Sequence, residues 1–159
     1  MSQVIIKQNE DIFNTKCQAI ICPTNSVGVM GAGLAKKFKD KKEYNEANAA
    51  YTKACMSGQI APGSCWVYIL NTDDCTVPCS YVIYLATKFH YSDESKLEWI
   101  ENGLINLSKT LLFYDIKSVA LPAIGCGLGG LPYPTVEMFV KEVFGNDSRK
   151  KTIELYAPH

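Results

Sequence analysis

The chain has 159 residues, 47 % of them apolar and 20 % charged, the size and make-up of one globular domain with a real core, so residues 1–159 are read as a single domain. Sixteen Lys and Arg balance sixteen Asp and Glu, which argues against a broad electrostatic grip on nucleic acid but allows a local basic mouth. No run of about 18 apolar residues offers a membrane span, no positive segment followed by an apolar stretch opens the chain as a secretion signal, and seven scattered cysteines read as buried, reduced thiols of a cytoplasmic protein.

Apolar strands alternate with helical periods along the whole chain, the pattern of a layered α/β domain. Val4–Lys7 reads as a first strand. Ala19–Cys22 is a short buried strand ended by Pro23. A glycine-rich turn follows, and Leu34, Ala35 and Phe38 open a helical face. Tyr44, Ala47, Tyr51 and Ala54 recur at three and four residues on a second helix that stops at Gly58. Cys65–Leu70 and Tyr81–Ala86 are rich in β-branched and aromatic residues and read as strands, with Asn71–Ser80 a loop between them. Ser95-Lys96-Leu97-Glu98 has the form of a capping box. After it, Leu97, Ile100, Leu104, Leu107 and Leu111 make one apolar stripe. Val119–Leu121 is a strand stopped by Pro122. Pro134 suits the first turn of a helix whose face is Val136, Phe139, Val140 and Val143, closed by Gly145-Asn146. Ile153–Tyr156 is a last strand.

Two strand–glycine–helix junctions stand out. One loop is Asn25-Ser26-Val27-Gly28-Val29-Met30-Gly31-Ala32-Gly33, the other Ile124-Gly125-Cys126-Gly127-Leu128-Gly129-Gly130. Glycine lets the backbone approach a ligand, and successive N–H groups with a following helix can hold an anion. One such cluster is as well explained by a tight turn; two, each after a buried strand, can clamp a diphosphate from both sides. Neither loop has the Gly-Lys-Ser/Thr of a Walker motif. Gly125, Gly127 and Gly130 match G-x-G-x-x-G, but too little chain follows for a doubly wound dinucleotide fold. Cys75 and Cys79 lie close together, yet no second pair or nearby histidine completes a zinc set, so neither a metal nor another cofactor is expected.

At these loops the chain resembles the macro domain family, from Val4 to Pro158. The resemblance is carried by Asn25 to Ala35, by Ala86-Thr87-Lys88-Phe89-His90, by Ser118 to Leu131, and by Leu155-Tyr156-Ala157-Pro158. It is most similar to the branch that holds enzymes removing terminal ADP-ribose from protein, an antitoxin acting on ADP-ribosylated DNA, and a phosphatase of ADP-ribose 1″-phosphate. The resemblance implies a three-layer α/β/α sandwich around a mixed, mostly six-stranded sheet, with an ADP-ribose cleft at its crest. By the same resemblance Asp11 and Ile12 read adenine, with Tyr156 near the adenosine. Asn25 lies beside the distal ribose, and Gly28, Val29, Met30, Gly31, Gly33 and Leu34 form the first diphosphate loop. Thr87 precedes the catalytic Lys88, and Pro122, Ile124, Gly125, Cys126, Gly127, Leu128 and Gly129 form the second loop. Lys88 and Asn25 are the expected catalytic pair, with the lysine attacking the distal anomeric carbon as a free amine.

Three positions depart from the family pattern: Gly129 stands where the protein glycohydrolase has an acid, Cys22 replaces an asparagine, and Glu10 replaces the glycine before the adenine acid. His90, if the chain is extended there, shares a face with Lys88 as an acid or a phosphate contact; the alternative is a surface or packing histidine. Cys126 has no visible base and reads as a packing residue. The expected function is hydrolytic removal of terminal ADP-ribose from DNA or protein. The alternatives are the 1″-phosphatase and a non-catalytic ADP-ribose binder. The expected partner is ADP-ribose or an ADP-ribosylated macromolecule, bound by a monomer without membrane contact. Lys36, Lys37, Lys39, Lys41 and Lys42 could meet the phosphates of ADP-ribosylated DNA or form only a solvated face.

Overall fold

Successive side chains of the central strands pack alternately into two cores, one on each face of the sheet, and this alternation sorts the helices into two layers. Ile20, Cys22, Val82, Tyr84 and Ala86 pack into one core with Ala35, Phe38, Ala47 and Tyr51. Ala19, Ile21, Ile83, Leu85 and Val119 pack into the other with Ile100, Leu104, Val136 and Val140. The computed structural model describes residues 2–70 and 79–158. The strands are β1 (Gln3–Lys7), β2 (Ala19–Asn25), β3 (Cys65–Ile69), β4 (Tyr81–Lys88), β5 (Ser118–Pro122) and β6 (Thr152–Tyr156). The helices are α1 (Gly33–Lys39), α2 (Asn45–Met56), α3 (Leu97–Phe113) and α4 (Tyr133–Gly145). The sheet has the order β1-β6-β5-β2-β4-β3, and its pairs are parallel except β3 with β4. The expected three-layer α/β/α fold with a mixed six-stranded sheet is what forms.

This order decides where a ligand can sit. β2 and β5 are neighbours, yet β2 leads into α1 on one face and β5 leads toward α4 on the other. Their carboxyl ends therefore part, opening a crevice at the topological switch point. The pairing of β2 with β5 is confined to Ala19 and Ile20.

Five expectations are corrected. β2 does not end at Pro23 but continues to Asn25; beyond Ile20 it has no ladder to β5, so a residue without an N–H interrupts nothing on that flank. β4 runs two residues past Ala86, so Thr87 and Lys88 are strand residues. β5 includes Pro122, which sits opposite Tyr156. The capping box does not form: α3 starts at Leu97, and Lys96 is its N-cap without a side-chain bond. Ser95 is instead drawn into a tertiary contact, its N–H donating to Gly129 O at 3.0 Å. Leu97, expected on the buried stripe, is 40 % exposed, while Ile100, Leu104, Leu107 and Leu111 are buried. The expected Asn71–Ser80 loop and Cys75 lie largely outside the described residues.

Candidate functional site

The crevice is a cleft of about 1200 Å³. Its walls are the two glycine loops, the ends of β2 and β4, and the segments after β1 and β6. Most of the expected site residues line it: Asp11, Ile12, Asn25, Val29, Gly31, Gly33 and Leu34 from the first half of the chain, then Thr87, Lys88, Pro122, Tyr156 and Gly125 through Gly129. Gly28, Met30 and Ile124 do not line the wall. Met30 is buried in the α1/α2 core and Ile124 in the α3/α4 core. Gly28 lies against α2, where a Cβ would come 3.1 Å from that of Cys55.

The first loop is braced from below. Asn25 ends β2, and its side chain is spent on the loop: Nδ2 donates to Val29 O at 2.8 Å, and Oδ1 accepts from the N–H groups of Gly28 (2.9 Å) and Val29 (3.2 Å). Its backbone carbonyl accepts from Tyr51 Oη at 2.9 Å. Tyr51 in turn stacks on Tyr84, with ring centroids 4.4 Å apart and planes 9° apart; burial pushes its phenol far above the ordinary range, keeping it a neutral donor. The amide of Asn25 thus fixes the loop while the residue lines the cleft. Beyond it, among the described residues, no protein acceptor takes the N–H of Gly31 or Ala32, and those of Gly33 and Leu34 open the first turn of α1.

The second loop is a 3₁₀ turn over Gly127–Gly129 that closes on itself. Gly129 N donates to Cys126 O at 2.8 Å, Gly130 N to Gly127 O at 3.1 Å and Leu131 N to Gly125 O at 2.9 Å. Gly125 has φ +76°, and a Cβ there would meet Ile100 Cδ1 and Leu131 Cδ1 at 2.8 Å, so glycine is required by both backbone and packing. Among the described residues, the N–H groups of Gly127 and Leu128 have no protein acceptor. The loops meet: a Cβ on Gly33 would lie 3.6 Å from Leu128 Cδ1. Unpaired N–H groups therefore come from both loops of one cleft, the arrangement that holds a diphosphate.

Lys88, half-buried at the end of β4, is in register with Asn25. Its carbonyl accepts from Ser26 N at 3.1 Å. Among the described residues, the ion pairs use Lys7, Lys36, Lys117, Lys141 and Arg149, and no carboxylate reaches Lys88. Thr87 donates its hydroxyl to Thr24 O at 3.2 Å, tying the two strand ends together. A Cβ at position 129 would fall 2.6 Å from Ser95 Oγ, which is itself buried without a partner, so an acid there would require Ser95 to shift. Cys126 lines the cleft, but burial pushes its thiol up, away from the thiolate a nucleophile needs. His90 does not share a wall with Lys88. The chain bends after β4, and the His90 ring meets Ser92 Oγ at 2.7 Å and the Tyr91 ring at 4.1 Å instead.

The opposite end is built around Asp11 and Tyr156. Asp11 Oδ1 accepts from Phe13 N at 3.0 Å, which leaves its second oxygen uncommitted, and Glu10 does not prevent this turn from forming. Tyr156 donates its hydroxyl to Glu154 at 2.9 Å, so its ring orientation is fixed from behind. Lys41 lies 4.6 Å over the Phe13 ring. Of the lysine run, Lys37 and Lys41 line the cleft, while Lys36 pairs with Asp40 at 2.7 Å. Sequence reading missed Phe13, Thr24 and Tyr91 as wall residues. No motif marks them: Phe13 and Tyr91 reach the cleft through turns that only the folded chain defines, and Thr24 lies on the part of β2 beyond the expected strand end.

Residues 21–140 match the family model of the macro domain. The chain belongs to the macro domain family. This macro domain is 36 % identical over 134 residues, 84 % of its length, to the DNA ADP-ribosyl glycohydrolase of Mycobacterium tuberculosis, of which the match covers 37 %. The chain thus spans little more than a third of that relative. It superposes on the macrodomain of Mycobacterium tuberculosis DarG with a TM-score of 0.91 at 31 % identity, covering 100 % of both chains. It superposes on Thermosipho africanus DarTG in complex with ADP-ribose with a TM-score of 0.84 at 25 % identity, over 97 % of this chain and 42 % of that one. Among the described residues, no helix is long and apolar enough to cross a membrane.

Proposed function

We propose that this macro domain binds ADP-ribose and hydrolytically removes it from a modified macromolecule, with ADP-ribosylated DNA as the substrate. The observation that carries the reading is a lysine on the wall of a cleft whose two loops offer unpaired N–H groups to a diphosphate. The DNA ADP-ribosyl glycohydrolase named above supports the choice of DNA. Asp11 and Ile12 take the adenine, Tyr156 lies along the adenosine, and the loops at Gly31 and Gly125 take the phosphates. Asn25 holds the first loop in shape. The distal ribose then lies against Lys88.

Lys88, as the free amine, adds to the anomeric carbon while the bond to the base breaks. The departing base takes up the proton that the amine gives up on bonding. Water then adds to the anomeric carbon, releasing ADP-ribose and restoring the amine. The net reaction consumes one water and needs no metal or redox partner in its balance. Six free thiols among the described residues support a reducing, cytoplasmic setting.

The test is a substrate panel. The domain is incubated with an ADP-ribosylated single-stranded oligonucleotide, an ADP-ribosylated protein and ADP-ribose 1″-phosphate. Release of ADP-ribose from the oligonucleotide is expected. Tight ADP-ribose binding with no turnover of any of the three would reduce the domain to a binding module, and phosphate release alone would make it a phosphatase.

A further inference from the structure

Between β4 and α3 the chain makes a turn, residues 89–95, that touches both phosphate loops. At its start Phe89 O accepts from Ser26 N at 2.9 Å, beside the first loop. At its end Ser95 N donates to Gly129 O at 3.0 Å, in the second loop. Between these anchors the turn is held by its own bonds. His90 N donates to Asp93 Oδ2 and Asp93 N to His90 O, both at 3.0 Å, and the His90 ring meets Ser92 Oγ at 2.7 Å. The turn is thus preorganised, with little conformational freedom left to lose on binding.

What this turn displays is aromatic. Phe89 is 55 % exposed and Tyr91 53 % exposed, within three residues of Lys88, and Tyr91 lines the cleft itself. The His90 ring backs the Tyr91 ring at 4.1 Å, which fixes its plane. The turn carries no lysine or arginine, and its Asp93 is spent on His90 N. A turn of this kind does not grip a phosphate backbone. It offers flat apolar rings, which accept the face of a nucleobase. The cleft, at about 1200 Å³, exceeds the usual small-molecule site of about 300–1,000 Å³, and Lys88 and Tyr91 both line it.

We propose that Tyr91, flanked by Phe89, is the stacking platform for the unpaired base that carries the ADP-ribose. This rests on the DNA reading given above and deepens it. The platform presents the base's glycosidic bond to Lys88 and selects a single-stranded or unstacked base over one held in a duplex, because a base stacked between its neighbours has no free face to offer. No lysine or arginine lies on the turn itself, so the stack adds little salt dependence to whatever Lys37 and Lys41 on the cleft wall contribute.

The experiment measures kcat and KM on a single-stranded oligonucleotide with one ADP-ribosylated base and on an ADP-ribosylated peptide, with ADP-ribose affinity and thermal stability alongside. Tyr91→Ala is expected to raise KM for the oligonucleotide about tenfold or more, Phe89→Ala by less, and Tyr91→Phe to restore what Tyr91→Ala loses. ADP-ribose affinity and melting temperature stay level. A Phe89→Ala/Tyr91→Ala double variant whose oligonucleotide KM stays within about twofold of wild type, while wild type releases ADP-ribose from DNA, overturns the platform and leaves the proposed function standing. An equal KM rise on the peptide, or a parallel loss of ADP-ribose affinity, also overturns it, because the rings would then shape the cleft rather than read a base. Absence of any release from the oligonucleotide by wild type overturns the DNA reading and the platform with it.

Discussion

The first glycine loop takes its shape from side chains beneath it, whereas the second takes its shape mainly from its own backbone, with one outside tie from Ser95 N. Loop one depends on the Asn25 amide and on a hydroxyl from α2, delivered by a stacked pair of tyrosines. Loop two depends on hydrogen bonds between residues six or fewer apart and on glycines at positive φ. Both end with N–H groups turned free for a ligand. The difference teaches where each is vulnerable: loop one through side chains beneath it, loop two through its own backbone.

The largest effect is expected at Gly125. Gly125→Ala places a Cβ 2.8 Å from Ile100 and Leu131 at φ +76°, adding left-handed strain to overpacking, a loss of about 2–5 kcal/mol. Gly127→Ala is the control. Its φ is +47° but nothing lies within 4 Å of the new Cβ, so the cost is about 1–2 kcal/mol of backbone strain alone. Urea unfolding of the two variants measures both. Equal losses would show that backbone strain alone, and not the packing behind the loop, sets the requirement.

Next in size, Asn25→Ala removes three bonds to loop one. It is expected to cost about 1–3 kcal/mol and to weaken ADP-ribose about tenfold by calorimetry, a change of ~1.4 kcal/mol in binding. Tyr51→Phe removes one donor and is expected to cost about 1 kcal/mol with a smaller loss of affinity. A loop-one affinity indifferent to Asn25 would break the contrast between the loops.

Acid pH gives the smallest effect and acts outside both loops. The Arg149 guanidinium bonded to Asp147 holds that carboxyl below its ordinary 3.8. Burial pushes Glu154 up, but donors on Thr15, Tyr156 and Cys17, with the charge of Lys7, outweigh it and leave Glu154 below its ordinary 4.5. Both are stronger acids folded than unfolded. Their contribution is present above those ordinary values and is lost as the pH falls through the folded ones. Denaturation midpoints are expected to hold from pH 7 to about 5 and to drop below about 4, less steeply in Glu154→Gln.

The strands, the helices of the core and both loops were legible because periodicity and glycine carry them. Four of the five buried positions of α3, Ile100, Leu104, Leu107 and Leu111, follow the 3.6-residue period. The misreadings share one cause. Ser95 looks like a cap, but Gly129, 34 residues away in the chain, takes its N–H; Pro23 looks like a stop, but the sheet opens beside it. Tyr91 was missed because an irregular turn has no period to betray it. Met30 was assigned to the ligand by its place in the loop, and the fold turned it into the core. Local pattern locates the loops; which residue of a loop faces the cleft is set by what packs beneath.

The central claim is that the loops bind and Lys88 reacts. Single-turnover release of ADP-ribose from a modified single-stranded oligonucleotide, measured for wild type and Lys88→Ala beside the affinity of each for ADP-ribose, tests it most directly. The account predicts release slowed by at least about 100-fold, ~2.7 kcal/mol of barrier, with ADP-ribose affinity held within about threefold, under ~0.7 kcal/mol. Release by Lys88→Ala at the wild-type rate would contradict it.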